Sequence, residues 1–144
     1  MLKLGSAILS LLCVLSMVPA LGVAMYLTVT DNIHPLLPMR FSGAEISAIN
    51  PDIVATINGM GVFATGNEVA FYLLAIIAIW KGLYWRKIWV FWALLLSLSV
   101  SVLSKFASGY VDGSHTFGPS IFAAFLLVAG IILCALDLFG KQKN

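Results

Sequence analysis

Charge is scarce in this chain. Only 10% of its 144 residues are Asp, Glu, Lys or Arg, against about 25% in soluble domains. Hydrophobic residues make up 61%, and mean hydropathy is +1.04. A water-soluble globule of this composition has too little polar surface to cover its core. A bilayer, which takes roughly 20 apolar residues per helical crossing, is the expected solvent. The net charge of +2 comes with no basic run and no nucleic-acid motif, so nothing points to RNA or DNA.

Cysteine and histidine are scarce too, with two of each. Cys13 and Cys134 fall inside apolar runs and form no CxxC, no ligand spacing and no secreted disulfide framework. They are expected as small buried hydrophobes. Both histidines lie outside the apolar runs, which excludes haem held by paired histidines within the membrane. HExxH is missing. "GSAILS" and "GMGVFATG" are not followed by the Lys-Ser or Lys-Thr of a phosphate-cradling loop. No Ser-His-Asp set can be argued from position. The expectation is a protein without catalytic activity of its own.

What the sequence does have is four long apolar runs, at about 4–27, 60–80, 88–104 and 121–139. The expected fold class is therefore all-α: a polytopic membrane protein forming a four-transmembrane-helix up-down bundle as one domain over 1–144. The first run has a lysine before it, as a signal peptide would, and Gly22-Val23-Ala24 is a passable cleavage site. Its apolar core is about twice the usual signal length, so it is expected to stay as a crossing kinked at Pro19. "KGLYWRK" between the second and third runs is short enough to force an antiparallel helical hairpin.

Basic residues orient the bundle. Lys3, Lys81, Arg86, Lys87, Lys141 and Lys143 fall on one side with Asp137. Arg40 and Lys105 fall on the other with Asp31, Glu45, Asp52, Glu68 and Asp112. Both termini are expected in the cytoplasm by the positive-inside rule. Trp80, Tyr84, Trp85, Trp89 and Trp92 gather at the inner boundary as an aromatic belt.

The long outer loop, 28–59, contains "NPDIVATING". Asn50 can cap a helix there, Pro51 fits its first turn, Asp52 suits its dipole and Gly59 can end it. A short amphipathic helix on the outer surface is expected. The alternative is one continuous helix from Pro51 to Trp80.

Two outer stretches share a spacing: "DNIH", Asp31 to His34, and "DGSH", Asp112 to His115. Imidazole and carboxylate suit Zn or Cu, so these four residues are the candidate metal ligands. Each stretch also sits among prolines or glycines, where aspartate opens turns through its own backbone, and two plain turns are the competing account.

Glu68 lies about 12 Å below the entry of the second run. A carboxylate at that depth is costly unless it is paired, protonated or facing water. Lys105 at the outer end of the third run is its candidate partner, and Asn67 can help satisfy it. A proton-carrying Glu68 in a small carrier is the functional alternative. In the third run Ser97, Ser101 and Ser104 share a helix face; with Ala78, Gly82 and Gly130 they are candidate close-packing positions between helices.

The stretch "NGMGVFATGNEVAFYLLAIIAIWKGLYWRKIWVFWALLL" resembles small bacterial four-helix membrane proteins of the DoxX-like kind. The shared features are a Gly-rich entry, a polar residue within the second helix, a short basic-aromatic hairpin and a Trp-rich third helix. The resemblance implies a four-helix fold in a bacterial inner (plasma) membrane and carries over no catalytic residue. The expected partners are the lipid bilayer and either further copies of the chain or another membrane protein. Three functions remain open: an accessory or binding subunit for a membrane partner or a lipid-like ligand, an extracytoplasmic metal or redox-associated protein, and a proton-coupled carrier.

Overall fold

The computed structural model describes residues 1–29, 51–111 and 118–140. Within them four helices run long and apolar enough to cross a membrane: α1 (Leu2–Val29), α2 (Pro51–Ala78), α3 (Ile88–Val111) and α4 (Gly118–Gly140). The chain is a small integral membrane protein of all-α class. In hydrocarbon every backbone N–H and C=O must be paired within the protein, and a continuous helix does this residue by residue.

The helices are longer than the apolar runs. α1 passes through Pro19 without interruption. The short outer-surface helix expected over "NPDIVATING" is instead the first turns of α2, which continues through Gly59. A glycine ends a helix only where the chain then reverses in a left-handed turn, and here the backbone keeps its course. At 28 residues α2 is about 42 Å long, more than the roughly 30 Å hydrocarbon core needs. α3 likewise runs past Ser104 to Val111, so polar residues extend both helices beyond their apolar centres.

The chain forms two compact units, one of Met1–Leu15 with Tyr72–Asn144 and one of Ser16–Phe71. In the first, each helix turns one buried stripe inward. On α3 it is Val90, Leu94, Leu98 and Val102, at intervals of four; on α4 it is Ala123, Leu127, Gly130, Cys134 and Leu138. Leu2, Leu9 and Cys13 come from α1. Lipid is as apolar as leucine, so these helices gain little from hiding apolar area. Close packing must supply the association, and small residues permit it. Gly5 and Gly130 meet this requirement. A Cβ on Gly5 would lie 2.6 Å from Cys134 Sγ and 2.9 Å from the Gly130 carbonyl oxygen, and one on Gly130 would lie 2.7 Å from Leu9 Cδ2.

The α2–α3 hairpin is equally tight. α2 widens into a π-helical turn, Ile79–Leu83, and Tyr84 N–H donates to the Ile79 carbonyl at 2.9 Å. Arg86 N–H then bonds the Leu83 carbonyl and Lys87 N–H the Gly82 carbonyl, at 2.9 and 3.0 Å. These paired bonds are a Schellman stop. Its left-handed position, commonly glycine, is here Arg86, with φ 59°. Gly82 leaves room for Val90 of α3, whose Cγ2 would be 2.5 Å from an added Cβ.

In the second unit α1 and α2 approach closely at Gly61, where a Cβ would meet Leu27 Cδ1 at 2.7 Å. Ala20, Leu27 and Asn58 are buried there.

Candidate functional site

The first unit concentrates its polar chemistry at one end, around Asp137. This carboxylate stands in the last turn of α4, where the helix's own carbonyls repel negative charge. Partners from two other elements hold it. Asp137 Oδ2 accepts the Leu2 N–H at 3.0 Å and lies 3.2 Å from the Met1 ammonium. Asp137 Oδ1 accepts a hydrogen bond from Arg86 at 2.6 Å. The first turn of α1 offers unpaired N–H groups and the positive end of its dipole, so an anion from α4 suits it. The carboxylate side chain is 13% exposed and the guanidinium 48%, so the pair lies at the edge of the core.

A cleft of about 520 Å³ opens here, between Met1, Leu2 and Lys3 on one side and Tyr84, Trp85 and Arg86 on the other, with Asp137 joining them. Trp85 is 68% exposed at its wall. The rings continue outward: Trp80 and Tyr84 lie 5.9 Å apart, and Phe91 stands edge-on to Phe139 at 5.6 Å. Trp80, Trp85, Trp89 and Trp92 are all exposed, the state in which indoles anchor a helix at a lipid headgroup boundary.

A second polar group lies between α2 and α3. Tyr72, only 2% exposed, has its hydroxyl 2.7 Å from Ser101 Oγ. Lys105 Nζ stands over the Tyr72 ring, 5.2 Å from its centroid, a cation–π arrangement. Ser97 and Ser104, on the same helix, donate to carbonyls of their own turn, those of Leu94 and Ser101. Of the three serines, Ser101 is therefore the one placed to bond across the seam.

Glu68 is half-buried and Asn67 exposed on α2 in the second unit. Lys105 belongs to the first unit. Ala78 is half-buried just before the π turn. Asp31, His34, Asp112 and His115 lie outside the described residues, as does most of the loop 28–59. Among the described residues no group of three or more His, Cys, Asp and Glu gathers. Cys13 and Cys134 are both buried and neither forms a disulfide.

Sequence reasoning missed the grip on Asp137. Asp137 stood among Lys3, Arg86 and Lys141 on one membrane face with no long-range partner assigned to it, and Lys141 lies outside the described residues. The partners found in the structure are 135 and 51 residues away in the chain. The usable signal was sidedness: Lys3, Arg86 and Asp137 had all been assigned to one membrane face.

Comparison with protein-family models, with curated proteins and with solved structures finds no match. The DoxX-like resemblance gains no support from them. What stands is a small four-helix membrane protein.

Proposed function

We propose that this protein is a non-catalytic membrane bundle that binds an amphiphilic, lipid-like ligand or a membrane partner at its basic end. One observation carries the reading: an open cleft in which fixed charges meet exposed aromatic and apolar helix surface. A small polar solute can use only the charges. A molecule with a polar head and an apolar body uses both. Asp137 serves as architecture here, because each of its oxygens is already engaged. Charge bias puts this end, with both termini, in the cytoplasm. A bacterial inner membrane is what the DoxX-like resemblance implies. Native mass spectrometry of the detergent-purified chain tests the binding reading, through an adduct of amphiphile or partner that survives delipidation.

A second reading is favoured by the Tyr72–Ser101–Lys105 group. A cation seated on a buried tyrosine inside a membrane span is a setting for a proton-coupled carrier, and Glu68, in the second apolar run, is the acidic residue the sequence offers such a carrier. Glu68→Gln in that case folds normally and loses pH-dependent flux in vesicles. Wild-type flux in that variant rejects the carrier. A Zn or Cu site on Asp31, His34, Asp112 and His115 is tested by metal content of the wild type against His34→Ala/His115→Ala.

A further inference from the structure

We infer that the cleft beside Asp137 seats the phosphate headgroup of an anionic phospholipid. This rests on the amphiphile reading above and names its ligand class and contacts. The charges facing the cleft are the Met1 ammonium, Lys3, Arg86 and Asp137. Three are positive and one negative, so the cleft attracts an anion. The single carboxylate does not compete for that role. Its Oδ1 is taken by Arg86, and its Oδ2 by Leu2 N–H and the Met1 ammonium. Lys3 is exposed and has no ionic partner among the described residues. Arg86 spends one terminal nitrogen on Asp137, and a guanidinium carries five N–H donors, so it can hold the carboxylate and still donate to a phosphate. Lys81 and Lys87, both exposed, flank the same turn and add to the field.

The surroundings choose between a free phosphate and a lipid. The rings of Tyr84 and Trp85 form one wall of the cleft. Leu4 is exposed on α1 immediately after Lys3, and Ile88 is exposed where α3 begins. Apolar helix surface therefore starts within two residues of Lys3 and Arg86. A phosphate ion leaves that surface unused. A phospholipid sets its headgroup against Lys3 and Arg86 and its acyl chains along the exposed helix faces. A zwitterionic headgroup brings its own ammonium into a cleft that is already positive, so an anionic headgroup fits better.

The test is a titration of the delipidated full chain in a neutral detergent, read by native mass spectrometry and by thermal unfolding. The probes are phosphatidylglycerol, phosphatidylcholine and glycerol 3-phosphate. Phosphatidylglycerol should bind and raise the unfolding midpoint, with phosphatidylcholine several-fold weaker. Lys3→Gln, at an exposed position that the fold does not need, should weaken phosphatidylglycerol about fivefold at low salt. Lys87→Gln, outside the cleft, should weaken it less. Arg86→Gln should weaken it further, with folding verified by circular dichroism. Equal binding of phosphatidylcholine overturns the proposal. So does full competition by glycerol 3-phosphate, which makes the site one for free phosphate. Phosphatidylglycerol binding unchanged in Lys3→Gln overturns the cleft assignment while leaving the lipid-binding function in place. Binding of no lipid at all overturns both.

Discussion

Arg86 donates to Asp137 across 2.6 Å while its own backbone sits in the left-handed region, at φ 59°. The two facts belong together. The Schellman stop after α2 needs a left-handed residue, and glycine fills that position at least cost. An arginine there costs about 1–2 kcal/mol. What it supplies is a side chain that fastens the hairpin to α4, whose carboxylate also holds the start of α1. The hairpin thus trades local backbone ease for a long-range tie.

Arg86→Gly separates the two effects. In the wild-type background it relieves the backbone and loses the ion pair, so the changes oppose. In an Asp137→Asn background the pair is already broken and only relief remains. There Arg86→Gly should stabilise by about 1 kcal/mol, measured by denaturant titration in detergent. A destabilising effect in both backgrounds contradicts the strained-stop account.

Asp137→Asn should destabilise more than Arg86→Gln. The amide cannot match a carboxylate toward the Met1 ammonium, the Leu2 N–H and Arg86 together, whereas losing Arg86 leaves two of the three partners in place. The Arg86 side chain is half exposed, so solvent screens its share of the tie and its loss weighs less. Circular dichroism melts of the two variants give the order directly.

Gly5→Ala and Gly130→Ala should each destabilise by about 1–3 kcal/mol through overpacking. Gly5 faces the Gly130 carbonyl and Cys134 Sγ, and backbone cannot yield as a side chain can. Gly22→Ala meets nothing within 4 Å and lies in mid-helix. It should be neutral or stabilising by up to about 1 kcal/mol from helix propensity. A common response of all three melting midpoints would contradict the close α1–α4 crossing.

Tyr72→Phe keeps the ring beneath Lys105 and removes the hydroxyl that meets Ser101. It should cost about 0.5–1.5 kcal/mol, and Ser101→Ala a similar amount. The double variant should cost little more than either alone, which a double-mutant cycle reads as coupling. Additive losses would mean that the two hydroxyls do not share one bond.

The four helices were legible because a bilayer imposes a coarse rule: about 20 apolar residues without interruption. Their ends were less legible. Thr56, Asn58 and Gly59 look like a surface segment by composition, yet Thr56 and Thr65 bond back to carbonyls of their own helix and α2 continues through them. Hydroxyl side chains that satisfy themselves on the helix carry no boundary signal. The hairpin was visible in the shortness of "KGLYWRK", but its π turn and left-handed Arg86 were not, since arginine is not the residue expected there. The tie at Asp137 joins residues far apart in the chain, which local spacing cannot show; charge sidedness came closest to it. Ser101 could not be told from Ser97 and Ser104 by period alone, because only the position of Tyr72 distinguishes them.

The measurement that tests the central claim most directly is native mass spectrometry of the full chain purified in mild detergent, with bound species released and identified by fragmentation. The account predicts a retained amphiphile or membrane partner on wild type, diminished in Lys3→Gln, which removes a cation from the cleft and leaves the Asp137 tie in place. Bare protein at the mass of the chain alone, under conditions gentle enough to keep detergent adducts, would contradict it.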